Sequence, residues 1–313
     1  MNQHRKFILL KLIATLTIIG LATSALAQTS VGLVTINLQA LFFNQINDGA
    51  QDAADALGVD LQIVDGNNDP AMQVAAIESF ITQQVDAIIV VAIDVEGIVP
   101  AVTAASEAGI PVTAIDAKVA VPPADAFIGV DNYGAGVEAG EYTAGYVAEA
   151  FPEGAEIGIV GALNSFIQNQ RRDGFVEIME TVDGVEIVGT VDGQNVQEIA
   201  LTAAENLVTA NPGLDIIYAT GEPALIGVIA AVEAQGIGDS VTVIGWDLTA
   251  QAVRGIDVGF VEAVVQQNPY QEGYEAVEVS LALLAGDDVA EEVLIPIDIV
   301  TTDNVDDFRS LFE

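Results

Sequence analysis

The sequence predicts an α/β protein of two similar doubly wound parallel-sheet domains, and three observations carry that expectation. Short apolar runs rich in β-branched residues alternate with segments whose apolar positions recur at helical spacing. Such alternation implies parallel strands joined by right-handed crossovers, with helices on both faces of each sheet. The alternating set occurs twice, and the chain after position 27 is long enough for two cores.

The first strand runs from Val31 to Ile36, and helical spacing begins at Asn44, so Asn37 to Phe43 forms the crossing. Phe42 and Phe43 then stand at the carboxyl end of a strand. Ligands of an open parallel sheet bind at that edge, in the crevice the helices leave unfilled. Two rings there suit a ligand with an apolar face and a polar rim, such as a sugar, and equally suit the cap of a sheet core.

The first set continues with strand Asp60 to Val64, helix Pro70 to Gln84, strand Ala87 to Ala92, helix Ile98 to Ala108 and strand Pro111 to Ile115. Gly58, Gly109 and Pro111 supply stop signals. A strand at Phe127 to Val130 leads into a small-residue helix, Tyr133 to Ala150. The second set is strand Glu156 to Val160, helix Phe166 to Thr181, strand Val185 to Val191, helix Val196 to Ala210, strand Ile216 to Ala219, helix Pro223 to Gln235 and strand Val241 to Ile244. Strand-like Phe260 to Gln267, helical Tyr270 to Leu284 and strand-like Leu294 to Thr301 remain over, free to return and finish the first domain. A chain that crosses several times makes a multi-stranded hinge, which favours rigid-body closure.

Met1 to Ala27 reads as a secretory signal: a basic start (His4, Arg5, Lys6, Lys11), an apolar stretch from Leu12 to Leu26, and small residues at Ala25 and Ala27. The chain has no cysteine, so neither a disulfide nor a lipid on an N-terminal cysteine is available. A freely diffusing periplasmic protein is the expectation. Of eight Lys and Arg, only Lys118, Arg171, Arg172, Arg254 and Arg309 lie beyond the leader, against 46 acidic residues, and the whole chain carries a formal charge of -38. A surface this acidic repels phosphate backbones and anionic lipid, so nucleic-acid binding is excluded from the expectations. It also points to a salty habitat, where self-repulsion is screened. The single histidine, His4, leaves with the leader, which removes the Ser-His-Asp and Cys-His nucleophiles and the usual zinc sites. No cofactor or metal is expected. No G-x-x-x-x-G-K-[ST] loop occurs, and the glycines from Gly134 to Gly140 read as helix packing.

Phe42-Phe43 with Asp48-Gly49-Ala50, the run Val85 to Ile89, Gly109-Ile110-Pro111-Val112, Val130-Asp131-Asn132, the R-x-x-G-F pattern of Arg171 to Phe175, and Val243 to Asp247 follow one another in a characteristic order. In these motifs the chain resembles the periplasmic solute-binding proteins of sugar ABC transporters, of the ribose-binding type. The resemblance covers nearly everything after the leader and implies the type I periplasmic-binding-protein fold with a three-stranded hinge near Val130, Gln267 and Asp298. It implies an N-terminal lobe of residues 28–130 plus 267–298 and a C-terminal lobe of 131–266 plus 299–313.

The resemblance also implies a sugar-binding cleft. Phe42 and Phe43 supply aromatics from one lobe and Trp246 the opposing ring. Asp116 and Asp247 accept sugar hydroxyls, Arg171 donates, and Gln267 adds an amide beside a hinge strand. Hydrogen bonds to charged groups of this kind contribute roughly 1.5–3 kcal/mol each. Bland readings stand beside these: Asp116 and Asp247 as loop or capping acids, Trp246 as core, and a surface ion pair, which fits Arg172 better than Arg171. Where the family often carries polar contacts this chain has Ala40, Ala92, Ala117 and Gly221, with Gln39, Asp94, Lys118, Asn164 and Glu222 nearby as substitutes. The implied partners are a sugar or polyol and a membrane permease, for a monomer without enzymatic activity. The alternatives are a sensor protein for a chemoreceptor and, further off, a glycosidase using Asp116 and Asp247 as its carboxylate pair.

Overall fold

A computed structural model describes residues 28–119 and 124–312; the expected secretory leader lies outside the described residues. The first set of elements is β1 (Ser30–Thr35), α1 (Leu41–Leu57), β2 (Asp60–Asp65), α2 (Pro70–Gln83), β3 (Ala87–Val90), α3 (Val99–Glu107), β4 (Val112–Ile115) and β5 (Ala126–Gly129). The second is α4 (Asn132–Ala150), β6 (Glu156–Gly161), α5 (Phe166–Met179), β7 (Glu186–Asp192), α6 (Gln197–Ala210), β8 (Ile216–Ala219), α7 (Glu222–Gln235), β9 (Thr242–Trp246), α8 (Ala250–Val258) and β10 (Val261–Gln266). The chain then adds α9 (Pro269–Ala285), β11 (Glu292–Leu294) and β12 (Asp298–Val300).

These strands form two six-stranded sheets of matching order, β11-β5-β4-β3-β1-β2 and β12-β10-β9-β8-β6-β7. Every pairing is parallel except β12 on β10, which is antiparallel. The inner strands β3, β4, β5 and β8 are buried throughout, so they read as continuous apolar runs, while the edge strands β2 and β7 keep partial exposure.

The tail differs from the sequence expectation in three ways. The strand expected over Leu294 to Thr301 is two short strands in different sheets, because Pro296 has no N–H to continue a ladder and the chain crosses there. β10, left over after the second set and free to finish the first domain, lies instead in the second sheet between β9 and β12; only α9 and β11 return to the first. Helix α8 was not expected at all. It is only nine residues long and contains Gly255, where an added Cβ would meet Val261 Cγ2 at 2.3 Å, so the glycine that lowers its helix propensity is required by close packing on β10.

Each lobe locks a helix pair by direct backbone approach. A Cβ on Gly273 of α9 would stand 1.9 Å from the Ile46 carbonyl oxygen of α1, and one on Gly174 of α5 would stand 2.2 Å from the Tyr133 carbonyl oxygen of α4. The expected packing role of the glycines in α4 agrees with this: a Cβ on Gly136 would meet the Arg171 carbonyl oxygen at 2.3 Å. That contact fixes the part of α5 that carries Arg171.

Candidate functional site

The two sheets end alike. The residue after β4 is Asp116 (φ 60°) and the residue after β9 is Asp247 (φ 61°), both in the left-handed region that aspartate tolerates better than most residues. Each is pinned by its backbone, Asp116 N–H donating to the Ile128 carbonyl (2.9 Å) and Asp247 N–H to the Val265 carbonyl (2.8 Å). Both line a cavity of about 590 Å³ between the sheets. Phe42 and Phe43 line it from the first lobe, and Arg171, Gln168, Glu222 and Gln267 from the second and the crossing after β10. The two phenylalanines stand in the first turn of α1, which begins at Leu41, three residues ahead of the expected helix start. Asn37 Oδ1 accepts from the Gln39 and Ala40 N–H groups (2.9 and 2.8 Å), closing the turn early. Their rings meet edge to face, centroids 5.5 Å apart.

Arg171 is buried and held on several sides. Its Nε donates to Asn132 Oδ1 (2.8 Å), Nη1 lies 3.5 Å from the Thr220 carbonyl oxygen and 3.7 Å from Asp247 Oδ2, and Cζ sits 3.8 Å above the centre of the Trp246 ring. Gln267 Nε2 donates to Asp247 Oδ1 (2.6 Å), orienting that carboxylate. Trp246 itself is fully buried, does not line the cavity and donates from Nε1 to the Tyr218 hydroxyl (2.7 Å), whose ring stacks on Phe175. The ring expected to oppose the phenylalanines thus lies beneath Arg171. The last residue of β9 points into the core under α4 and α5, and the guanidinium covers its face.

Burial pushes the Asp116 carboxyl up to about 6, opposed by Arg171 and reinforced by Asp247. Glu222 is also raised, by desolvation and by Asp247, although the residue keeps exposed surface at the start of α7. Arg171 is lowered by burial against the pull of Asp247 and Asp116. One buried acid was missed by sequence reasoning. Glu272, in the first turn of α9, is 0 % exposed, both its carboxyl oxygens lack a hydrogen-bond partner, and burial followed by Asp116 and Asp247 drives it well above the usual carboxylate range. Nothing in the local sequence distinguishes it from a solvated helix acid. Among the described residues no group of three or more His, Cys, Asp or Glu side chains could hold a metal ion, and no helix is long and apolar enough to cross a membrane.

A family model for the periplasmic binding protein domain matches residues 31–288. This chain belongs to that family. It is 27 % identical over 279 residues to a ribose import binding protein of Salmonella typhimurium, covering 89 % of this chain and 92 % of the relative. It is 29 % identical over 308 residues to a putative rhizopine-binding protein of Rhizobium meliloti, covering 93 % and 98 %. The crystal structure of an ABC transporter solute-binding protein from Bacillus halodurans with bound myo-inositol superposes with a TM-score of 0.78 at 28 % identity, covering 91 % of this chain and 98 % of that one.

In this periplasmic binding protein the residues singled out from sequence fall into two groups. Phe42, Phe43, Asp116, Arg171, Asp247, Gln267 and Glu222 come together around the cavity. Gln39 and Asp94 do not. Gln39 is exposed and contributes only its backbone N–H to Asn37, and Asp94 Oδ1 accepts from the Glu96 and Gly97 N–H groups (3.2 and 2.9 Å), capping the turn into α3. Lys118 pairs with Glu292 beside a second cavity of about 550 Å³ that shares Asp116, and Asn164 is exposed and lines neither. Arg172 pairs with Asp173 at 2.6 Å on the surface, as expected. Gln168 and Asn195 were not foreseen. Gln168 Nε2 donates to Asn195 Oδ1 (2.8 Å) while its Oε1 accepts from Ala162 N–H and Thr220 Oγ1, making a rigid amide wall.

Proposed function

We propose that this periplasmic binding protein is an exported monomer that captures a sugar or sugar-like polyol in its interdomain cleft and delivers it to the permease of an ABC transporter, without chemistry on the ligand. The observation that carries the reading is the pairing of Asp116 and Asp247, one from each sheet, on either side of one cavity with Arg171 between them in charge. Carboxylates accept hydroxyl hydrogens, the guanidinium and the Gln267 amide donate, and Phe42 and Phe43 offer a face to the C–H side of a ring. Trp246 acts one step removed, by holding Arg171 flat. The names of the relatives support a hydroxylated ligand: ribose for one, and bound myo-inositol for a solved structure.

The lobes in this reading are residues 28–130 with 267–298 and residues 131–266 with 299–313, hinged near Val130, Gln267 and Asp298. A ligand gripped from both sides favours the closed arrangement, so closure is a population shift that a permease can read. Residues 1–27 serve as the export signal. The test is a thermal-shift screen against pentoses, hexoses and polyols. A true ligand at 100 times its dissociation constant stabilises by about 2.7 kcal/mol. Asp247→Asn, which keeps shape and tolerates the same backbone, loses that response. A panel without a single shift, or a full response from the variant, overturns the reading.

A further inference from the structure

The cleft is longer than one sugar ring. The cavity of about 590 Å³ that holds Asp247, Arg171 and Gln267 meets a second of about 550 Å³, and Asp116 lines both. A free monosaccharide has about a dozen heavy atoms; at the roughly 30 Å³ that a water takes in the liquid, a generous allowance for each, it fills about 360 Å³. Either cavity alone accommodates one ring, and a ring held at Asp247 leaves the second cavity open. The second cavity, like the first, draws its walls from both lobes: Val95, Ala117, Phe127 and Leu294 from one, Phe166 and Ile167 from the other.

The two cavities differ in what they offer. Polar side chains around the second are spent on the protein itself. Lys118 pairs with Glu292, Asp131 Oδ1 accepts from the Gly134 N–H (2.9 Å) and Ser165 Oγ from the Gln168 N–H (3.3 Å). Asn132 Oδ1 accepts from Arg171 Nε (2.8 Å), and its Nδ2 donates to the Val130 carbonyl (3.2 Å). Apart from Gln170 and the shared Asp116, the remaining lining side chains are apolar. Phe166, at the start of α5, is 78 % exposed, the highest value for a large apolar side chain among the described residues, and Leu294 on β11 is 50 % exposed. Two such side chains, one from each lobe, open to water at one cavity form a surface that gains by being covered. Because this space joins the first at Asp116, its occupant is continuous with the ring held there. A second sugar ring would bring hydroxyls to a wall with few open partners, whereas an aryl group needs none.

We propose that the ligand is a glycoside whose sugar ring lies among Asp116, Asp247 and Arg171 and whose apolar, O-linked aryl group lies in the second cavity, with Phe166 as the specificity-determining residue there. This rests on the polyol reading above and adds a substituent to the ring. The test is calorimetric titration of the intact mature protein with D-glucose, D-galactose, D-xylose and D-ribose, each beside its phenyl α- and β-glycosides, with cellobiose and xylobiose as controls that carry a polar second ring. The expected result is a phenyl glycoside bound about tenfold or more tightly than its free sugar in at least one set, while the disaccharide gains nothing over the free sugar. Phe166→Ala, a change at an exposed position that leaves the core untouched, brings the phenyl-to-free ratio down to about threefold or less. Free sugars binding as tightly as the phenyl glycosides, a disaccharide gaining as much as the phenyl compound, or a ratio unchanged in Phe166→Ala overturns the two-part ligand and leaves the polyol reading standing. Binding by no member of any set, together with no response in the wider sugar panel, overturns both.

Discussion

Replacing Asp116 by Asn should make the unliganded protein more stable and its grip on ligand weaker. The carboxyl is raised from 3.8 to about 6, chiefly by burial, so the folded state binds its proton more tightly than the unfolded chain does. The stability contributed by this group is therefore fully present below about 3.8 and is lost as the pH rises through about 6. At about 1.36 kcal/mol per pKa unit the ionised carboxylate costs the fold about 3 kcal/mol at pH 7.5 and about half that at pH 5. Asparagine is close in shape, cannot ionise and tolerates the φ of 60° found here. Urea unfolding of the unliganded variant and parent, with equal slopes, should give a gain approaching 3 kcal/mol at pH 7.5 that shrinks by about half at pH 5. In the same variant a charged acceptor is lost, at about 1.5–3 kcal/mol of ligand affinity. The reasoning fails if the variant is no more stable than the parent at pH 7.5, or if the gain is equal at both pH values.

Glu272→Met should raise stability by about 1–4 kcal/mol, since it replaces an unpartnered buried acid by an apolar side chain of similar length. Because burial raises this carboxyl, its favourable contribution is present at low pH and lost as pH rises, so the gain measured by urea unfolding is larger at pH 8 than at pH 5. Gly273→Ala should cost about 1–3 kcal/mol or more in the same assay, its Cβ falling 1.9 Å from the Ile46 carbonyl oxygen and forcing α1 and α9 apart. Trp246→Phe removes the 2.7 Å bond to the Tyr218 hydroxyl and the best surface for Arg171; it should lower stability by about 1–3 kcal/mol and weaken ligand in calorimetry although the residue does not line the cavity. The melting temperature should rise between low salt and 1 M NaCl, where the Debye length is about 3 Å and the repulsion of a chain at -38 is screened.

Residues whose position follows from local pattern were legible in the sequence. Asp116 and Asp247, singled out through the family resemblance, each follow a short buried run, and the end of such a run marks the crevice edge of a parallel sheet whatever the rest of the chain does. The alternation of strands and helices was equally local; the caps Asp131, Ser165 and Asn268, which the sequence reading did not single out as caps, each accept from a backbone N–H three residues on.

What the sequence could not hold was the direction and company of a side chain. Trp246 and Asp247 are neighbours in the chain, yet one faces the core under α5 and the other the cavity, and only the packed lobe decides which carries the ligand. Asp94 and Glu272 look alike as letters in an acidic chain. A turn that offers two free N–H groups claims the first, while the approach of α9 to α1 shuts the second away from water. Local pattern by itself determined the order of the elements, because propensity and period act over a few residues. Burial decided the charge state, partners and role of each acid, because desolvation depends on atoms brought in from far along the chain.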